Sequence, residues 1–278
     1  MTLQPRSTEE RDGIEYLLWR HALADGEVTT MYAVRYPRRS TRVRVVHFAR
    51  AERLDVWCRR NGVEEAVVGG FFLRDPYRPL GDVWVDGRPV AHVPVAAPYA
   101  ARRASVTIDG GDVRLVERSA APARPPGDLV QAGPLLVADG TIVFDAVADQ
   151  EGFSAGAGQF DSDITDGRYP RAALGISSES FVTLACDGRR SNVDGGLSLP
   201  ELAQAMIELG AESAINLDGG GSTTLVHRGH LLNRPYSTLD QPAPASRVIV
   251  TALAFEARSA PDLERAPSRS MAERGAVE

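Results

Sequence analysis

The chain has 278 residues, a formal net charge of −6 and a hydrophobic fraction of 43%, enough to bury a sizeable core in one large domain or two small ones. The acidic balance argues against nucleic acid as a main partner, which needs a basic face, and no apolar run is long enough to cross a membrane. All 31 basic residues are arginine, which excludes Schiff-base and phosphate-loop lysines; any cationic grip on phosphate must be a guanidinium fork.

The amino terminus is polar and acidic, unlike a signal peptide, so the sequence points to a cytoplasmic protein. Residues 1–27 read as an N-terminal extension. Within it, 9–24 is predicted as a short helix with Ile14, Leu17, Leu18 and Trp19 on one stripe. Residues 28–257 read as a single body. It opens with strands at 28–36 and 43–48, then a helix at 51–60 that Asn61-Gly62 should stop. A buried strand runs from Glu65 into Gly69 and Gly70. Asp86-Gly87, Asp109-Gly110 and Asp139-Gly140 each separate two strand-like runs, which is the signal of a hairpin.

Residues 119–128, rich in proline, can be a linker or a surface loop. The irregular stretch 151–167 has the length of a functional cover. Its Asp161, Asp163 and Asp166 suggest calcium, although for an EF-hand the glycine falls one place late and the closing acid is absent. A hairpin is predicted from 172–176 and 181–185. A helix follows, opened by Ser198 and Pro200 and ended by Gly210, and then a strand at 213–217. The last strand is predicted at 246–255, and 258–278 reads as a disordered tail. The fold class expected is α+β: mixed, mostly antiparallel sheets of short strands and hairpins with a few packed helices.

One stretch, 214–226, stands out. An apolar run reaches a lone acid, Asp218; Gly219, Gly220 and Gly221 follow, then Ser222, Thr223 and Thr224. Consecutive glycines between strands serve either a bulged hairpin or the close approach of a ligand. Bare backbone N–H groups beside hydroxyls suit an oxygen-rich, anionic ligand. Cys58 and Cys186 are too few and too distant for a metal motif; each fits a small buried residue, and a mutual disulfide stays open. His227 and His230 lie across a predicted turn with no further histidine nearby to complete a metal site.

Several blocks in order resemble the phosphodiester glycosidase family: Gly69-Gly-Phe-Phe72, Gln131-Ala-Gly-Pro134, Tyr169-Pro-Arg-Ala-Ala-Leu-Gly175 and Asp187-Gly-Arg189. After them come Gly196-Leu-Ser-Leu-Pro-Glu-Leu-Ala203 and the 214–224 stretch, with Asn233, Pro235 and Arg247 completing the set. The resemblance covers roughly 28–255. It implies a glycoside-hydrolase-type enzyme that cleaves between a sugar's anomeric carbon and a phosphodiester, with no obligatory metal and a sugar-phosphodiester substrate. One departure is Val68, where the family usually has asparagine before the glycine pair.

Such a reaction must hold phosphate oxygens and stabilise a sugar cation while a carboxylate acts on water or on the sugar. Arg171 and Arg189 are the candidates for the phosphate, and Asp218 and Asp187 for the carboxylates. Aspartate before glycine also serves as a plain turn residue, and that alternative stays open at Asp187. Gly219, Gly220, Gly221, Ser222 and Thr223 can line the substrate, joined by Gly70 from its family block. Asn233 can bond a sugar hydroxyl or cap a loop. Two other readings compete: a metal-dependent phosphodiesterase cutting P–O, and a non-catalytic sugar-phosphate binding module.

Overall fold

The computed structural model describes residues 7–145, 147–153, 167–190, 192–238, 241–242 and 246–258. The aspartates of the calcium reading and the tail beyond Arg258 lie outside them.

Antiparallel sheets built of short strands dominate. The central sheet has eight strands, in the spatial order Ser7–Arg11, Ile14–Ala22, Val28–Pro37, Ser180–Cys186, Arg171–Ile176, Ser213–Asn216, Leu135–Ala138 and Thr141–Ile142. A second sheet orders His230–Leu231, Leu225–His227, Glu65–Val68, Ile249–Ala257 and Thr41–Glu52; a third is built around Ala104–Asp109 and Asp128–Gln131. Among the described residues every ladder between strands is antiparallel, and the parallel contact is the isolated bridge Leu80–Val93. Helices are few: Leu54–Asn61, Tyr99–Arg102 and Leu199–Glu208. The α+β expectation is thereby narrowed to a chain that is mainly β.

The central sheet is buried on both faces. Along Val28–Pro37, Tyr32, Val34 and Tyr36 enter a core shared with Val45, Val67, Leu253 and Phe255 of the second sheet. Met31 and Ala33 enter another core, against Leu199, Leu202 and Met206 of the longest helix. This is the period-two alternation of a strand with apolar partners on each side.

The same arrangement overturns the helix predicted over 9–24. Ile14–Ala22 is a strand paired along its length with Val28–Pro37. Leu17 and Trp19 face the helix-side core, while Ile14, Tyr16 and Leu18 pack on the principal one. A strand buried on two faces has no polar side, so its apolar residues also satisfy a helical stripe.

Elsewhere the differences are small. The first helix starts at Leu54 because Ala51 and Glu52 continue the preceding strand. It stops at Gly62, whose φ of 65° lets its N–H reach the Cys58 carbonyl. Residues 119–127 join two strands of the third sheet and form a loop within it. Ser198 caps the longest helix in a full capping box with Glu201.

Candidate active site

Three strands of the central sheet bring the predicted residues to one end. In Arg171–Ile176, Arg171 pairs with Cys186 on one side, and Ala173 pairs with Asn216 on the other. Both flanking strands run antiparallel to the middle one, so Asp187 and Asp218 leave the sheet at the same edge. Two strand spacings separate their backbones there, roughly 10 Å. The second sheet joins at this edge: the Asp218 N–H donates to the Gly69 carbonyl at 3.0 Å, and the Gly69 N–H donates to Thr251 O at 2.9 Å.

Tyr169, Pro170 and Arg171 form the wedge between the two acid loops. The Gly220 N–H donates to Pro170 O at 2.8 Å, and a Cβ on Gly219 would lie 2.9 Å from that oxygen. On the other side, a Cβ on Gly188 would lie 2.7 Å from Pro170 N. Glycine at 188 and 219 therefore allows both loops to press on one proline. The guanidinium carbons of Arg171 and Arg189 stand 5.3 and 5.7 Å from the Tyr169 ring centroid, within cation–π range. Arg189 then reaches the glycine loop, with Nη2 3.0 Å from where a Gly220 Cβ would sit. Its backbone φ of 64° is a strained value of the kind that gathers at functional sites.

Asp187 is 1% exposed. Tyr32 donates its hydroxyl to one carboxylate oxygen at 3.0 Å, and the Arg234 N–H donates to the other at 2.6 Å. Burial raises this carboxyl from 3.8 to about 7; the Arg234 N–H and the Tyr32 hydroxyl oppose the rise, and the charge of nearby Asp194 adds to it. Asp218 is half-buried, and its carboxylate accepts from the Gly219 N–H at 2.9 Å. Desolvation raises it to about 6, held back by Ser222, Arg247, the Gly219 N–H and Arg74. Arg189 is lowered by burial and by the charge of Arg247. Two arginines and an acid thus share one electrostatic neighbourhood.

The other predicted residues take varied places. Arg171 is 2% exposed and donates from Nε to Leu197 O at 3.0 Å and from Nη2 to Gly167 O at 3.4 Å. Ser222 and Thr223 are buried; the Ser222 hydroxyl lies by the Asp218 carboxylate and lowers its pKa, while the Thr223 hydroxyl has no hydrogen-bond partner among the described residues. Asn233 clamps the chain after the glycines: it accepts from Leu225 N at 3.0 Å and donates to Thr223 O at 2.9 Å. The Gly70 N–H donates to the Thr251 hydroxyl at 3.1 Å. Val68 is wholly buried in the principal core, its N–H bonded to Thr224 O, so the side chain at this position belongs to the core.

Tyr32, Arg74, Arg234 and Asp194 were not foreseen. Tyr32 sits in an ordinary strand pattern, and no local signal marks it. Arg247 completes the ordered family set, but only the fold brings it to the glycine loop, where its N–H donates to Gly221 O at 3.3 Å and its charge acts on Asp218. His227 bonds Glu65 through Nδ1 at 2.9 Å. Among the described residues no three His, Cys, Asp or Glu side chains gather in a metal-binding group. Cys58 and Cys186 are both free thiols, which answers the disulfide question.

The model of one protein family, described as phosphodiester glycosidase, matches residues 61–256. No curated protein matches the sequence. Among solved structures, the catalytic domain of zebrafish N-acetylglucosamine-1-phosphodiester alpha-N-acetylglucosaminidase, auto-inhibited by its pro-peptide, is similar with a TM-score of 0.68 and 20% identity, over 93% of this chain and 89% of that one. A hypothetical protein from Synechocystis matches at 0.63 and 19% identity over 91% of this chain; the chain spans 64% of that protein's length. A putative exported protein from Burkholderia pseudomallei matches at 0.62 and 18%, over 83% and 74% of the two chains. At these identities the structures speak for a shared fold.

Proposed function

Because this chain belongs to the phosphodiester glycosidase family, we propose that it hydrolyses the bond between a sugar's anomeric carbon and the oxygen of a phosphodiester. The observation that carries the reading is the meeting of Asp218, Arg247 and Arg189 over the glycine loop, with Asp187 leaving the same sheet edge.

Breaking the C–O bond leaves an electron pair on the phosphate and a positive charge on the sugar. Arg189 and Arg247 are placed to take the growing phosphate charge, aided by backbone N–H groups of the glycine loop. Asp218 faces the sugar cation. Its acidity, near 6, leaves it ionised at neutral pH even in a half-buried niche. Asp187, near 7, is poised to take a proton from the attacking water, and Tyr32 and the Arg234 N–H fix its orientation. Arg171, turned toward backbone carbonyls, supports the wedge under the loop. Because both acids act as carboxylates, activity should fall as pH drops from about 7 through 6.

Asp218→Asn and Asp187→Asn, assayed on an N-acetylglucosamine-1-phosphate ester, should each lower kcat by about a hundredfold or more. Affinity for the ester should stay within a few-fold. An Asp218→Asn protein that keeps native kcat contradicts this assignment.

A further inference from the structure

Asp187 and Arg189 ride on one turn, residues 187–196, and the bonds that hold this turn converge on the start of strand Val28–Pro37. Within the turn the Asp194 N–H donates to Arg190 O at 2.8 Å, and the Arg190 N–H donates to Asp194 O at 3.0 Å. At its two ends the Asp187 N–H donates to Thr30 O at 2.9 Å and the Gly195 N–H to Val28 O at 2.8 Å. Thr29 is wholly buried between them; its hydroxyl donates to Asp187 O at 2.8 Å and accepts the Gly196 N–H at 3.3 Å. Asp194, 3% exposed, adds a clasp from its side chain. Its Oδ1 accepts the Thr30 N–H at 2.8 Å and the Thr30 hydroxyl at 2.6 Å.

Residues two apart on a strand share a face. Thr30 therefore holds Asp194 on the face from which Tyr32 reaches the Asp187 carboxylate. The charged and titratable groups acting on that carboxylate are Tyr32 from the strand, Arg234 from the segment after Asn233, and Asp194 from across the turn. The neighbouring Cys186 thiol is pushed up to about 12 by burial and stays neutral. Asp194 is the negative group among them, and it joins burial in keeping a proton on Asp187. A neutral amide would accept the same two bonds without placing a second negative charge beside a buried acid. Its charge is thus what sets Asp194 apart from a plain loop clamp.

We propose that Asp194 is a positioning residue for the hydrolysis described above, fastening the turn that carries both Asp187 and Arg189 to strand Val28–Pro37. The kinetic consequence rests on that hydrolytic reading; the clasp rests on the hydrogen bonds alone. A slip of the turn displaces the water-activating carboxylate and the phosphate grip together, so the clasp governs the spacing between them. The charge has a second consequence: a carboxylate that holds its proton more tightly is a stronger base toward the attacking water.

Two substitutions separate acceptor from charge. Asp194→Ala removes both, and kcat on an N-acetylglucosamine-1-phosphate ester should fall about tenfold or more. Asp194→Asn keeps an Oδ1 acceptor, so it should restore kcat to within about threefold of native while moving the acidic limb of the activity profile about half a pH unit lower. Native kcat in Asp194→Ala, an Asn variant as impaired as Ala, or an unmoved limb in Asp194→Asn overturns the proposal. If Asp194→Ala does not fold, Thr30→Val removes the shorter bond and keeps a β-branched strand residue; native kcat there overturns the clasp. Hydrogen exchange needs no turnover. Amides of residues 187–196 should exchange faster in Asp194→Ala and at the native rate in Asp194→Asn, and equal rates in all three proteins overturn the clasp. If the native protein does not cleave the ester, the hydrolytic reading fails, and the exchange rates still decide whether Asp194 fastens the turn.

Discussion

At the scale of single residues, the site is a balance between burial and arginine charge. Arg247 lowers Asp218 while burial raises it, so removing the arginine should move the acid upward. Arg247→Ala should shift the acidic limb of the activity profile to higher pH and raise KM about tenfold, the loss of one charge-assisted phosphate contact. An unmoved limb separates Arg247 from the acid. The same shift bears on stability. Asp218 binds its proton more tightly folded than unfolded, so its contribution is full below about pH 4 and is lost as pH rises through 6. Asp218→Asn removes this loss, and its melting temperature relative to native should be higher at pH 8 than at pH 4. A difference that does not vary with pH contradicts the raised carboxyl. That both acids and Arg189 come to one sheet edge could be anticipated because each stands beside glycine in a block that resembles the family. Tyr32 could not, since a tyrosine in an apolar strand looks the same whether its hydroxyl meets solvent or a buried carboxylate.

Among elements, the wedge Tyr169-Pro170-Arg171 decides the geometry, and glycines on either side let the loops close on it. Gly188→Ala would put a Cβ 2.7 Å from Pro170 N and 3.0 Å from the Gly196 Cα, both backbone atoms. The wedge and the Asp187–Arg189 turn must then part, at a cost of about 1–3 kcal/mol, and kcat should fall even though no catalytic group is altered. Unchanged kcat and melting temperature speak against the wedge. Sequence served the helix Leu199–Glu208 and the Asp-Gly hairpins well, because caps and turns are local chemistry. It failed at Ile14–Ala22, where apolar neighbours on both faces erase the alternation that marks a strand. Pairing across the sheet, which gathers the acids, is set by partners far away in the chain and leaves no local pattern.

For the molecule as a whole, the central sheet stabilises the site by being packed on both faces, and the amino-terminal hairpin takes part in that packing. Trp19 is 3% exposed against the helix-side core. Trp19→Ala should lower stability by about 3–5 kcal/mol in denaturant titrations, whereas a detached extension would leave it unchanged. The candidate site sits where this sheet meets the second one, at the ends of Glu65–Val68, Arg171–Ile176 and Ser213–Asn216. The central claim is that the bond broken there is carbon–oxygen. Hydrolysis of an N-acetylglucosamine-1-phosphate ester in ¹⁸O-labelled water, followed by mass spectrometry of both products, tests it most directly. The account predicts the label in the released sugar, and label in the phosphate would contradict it.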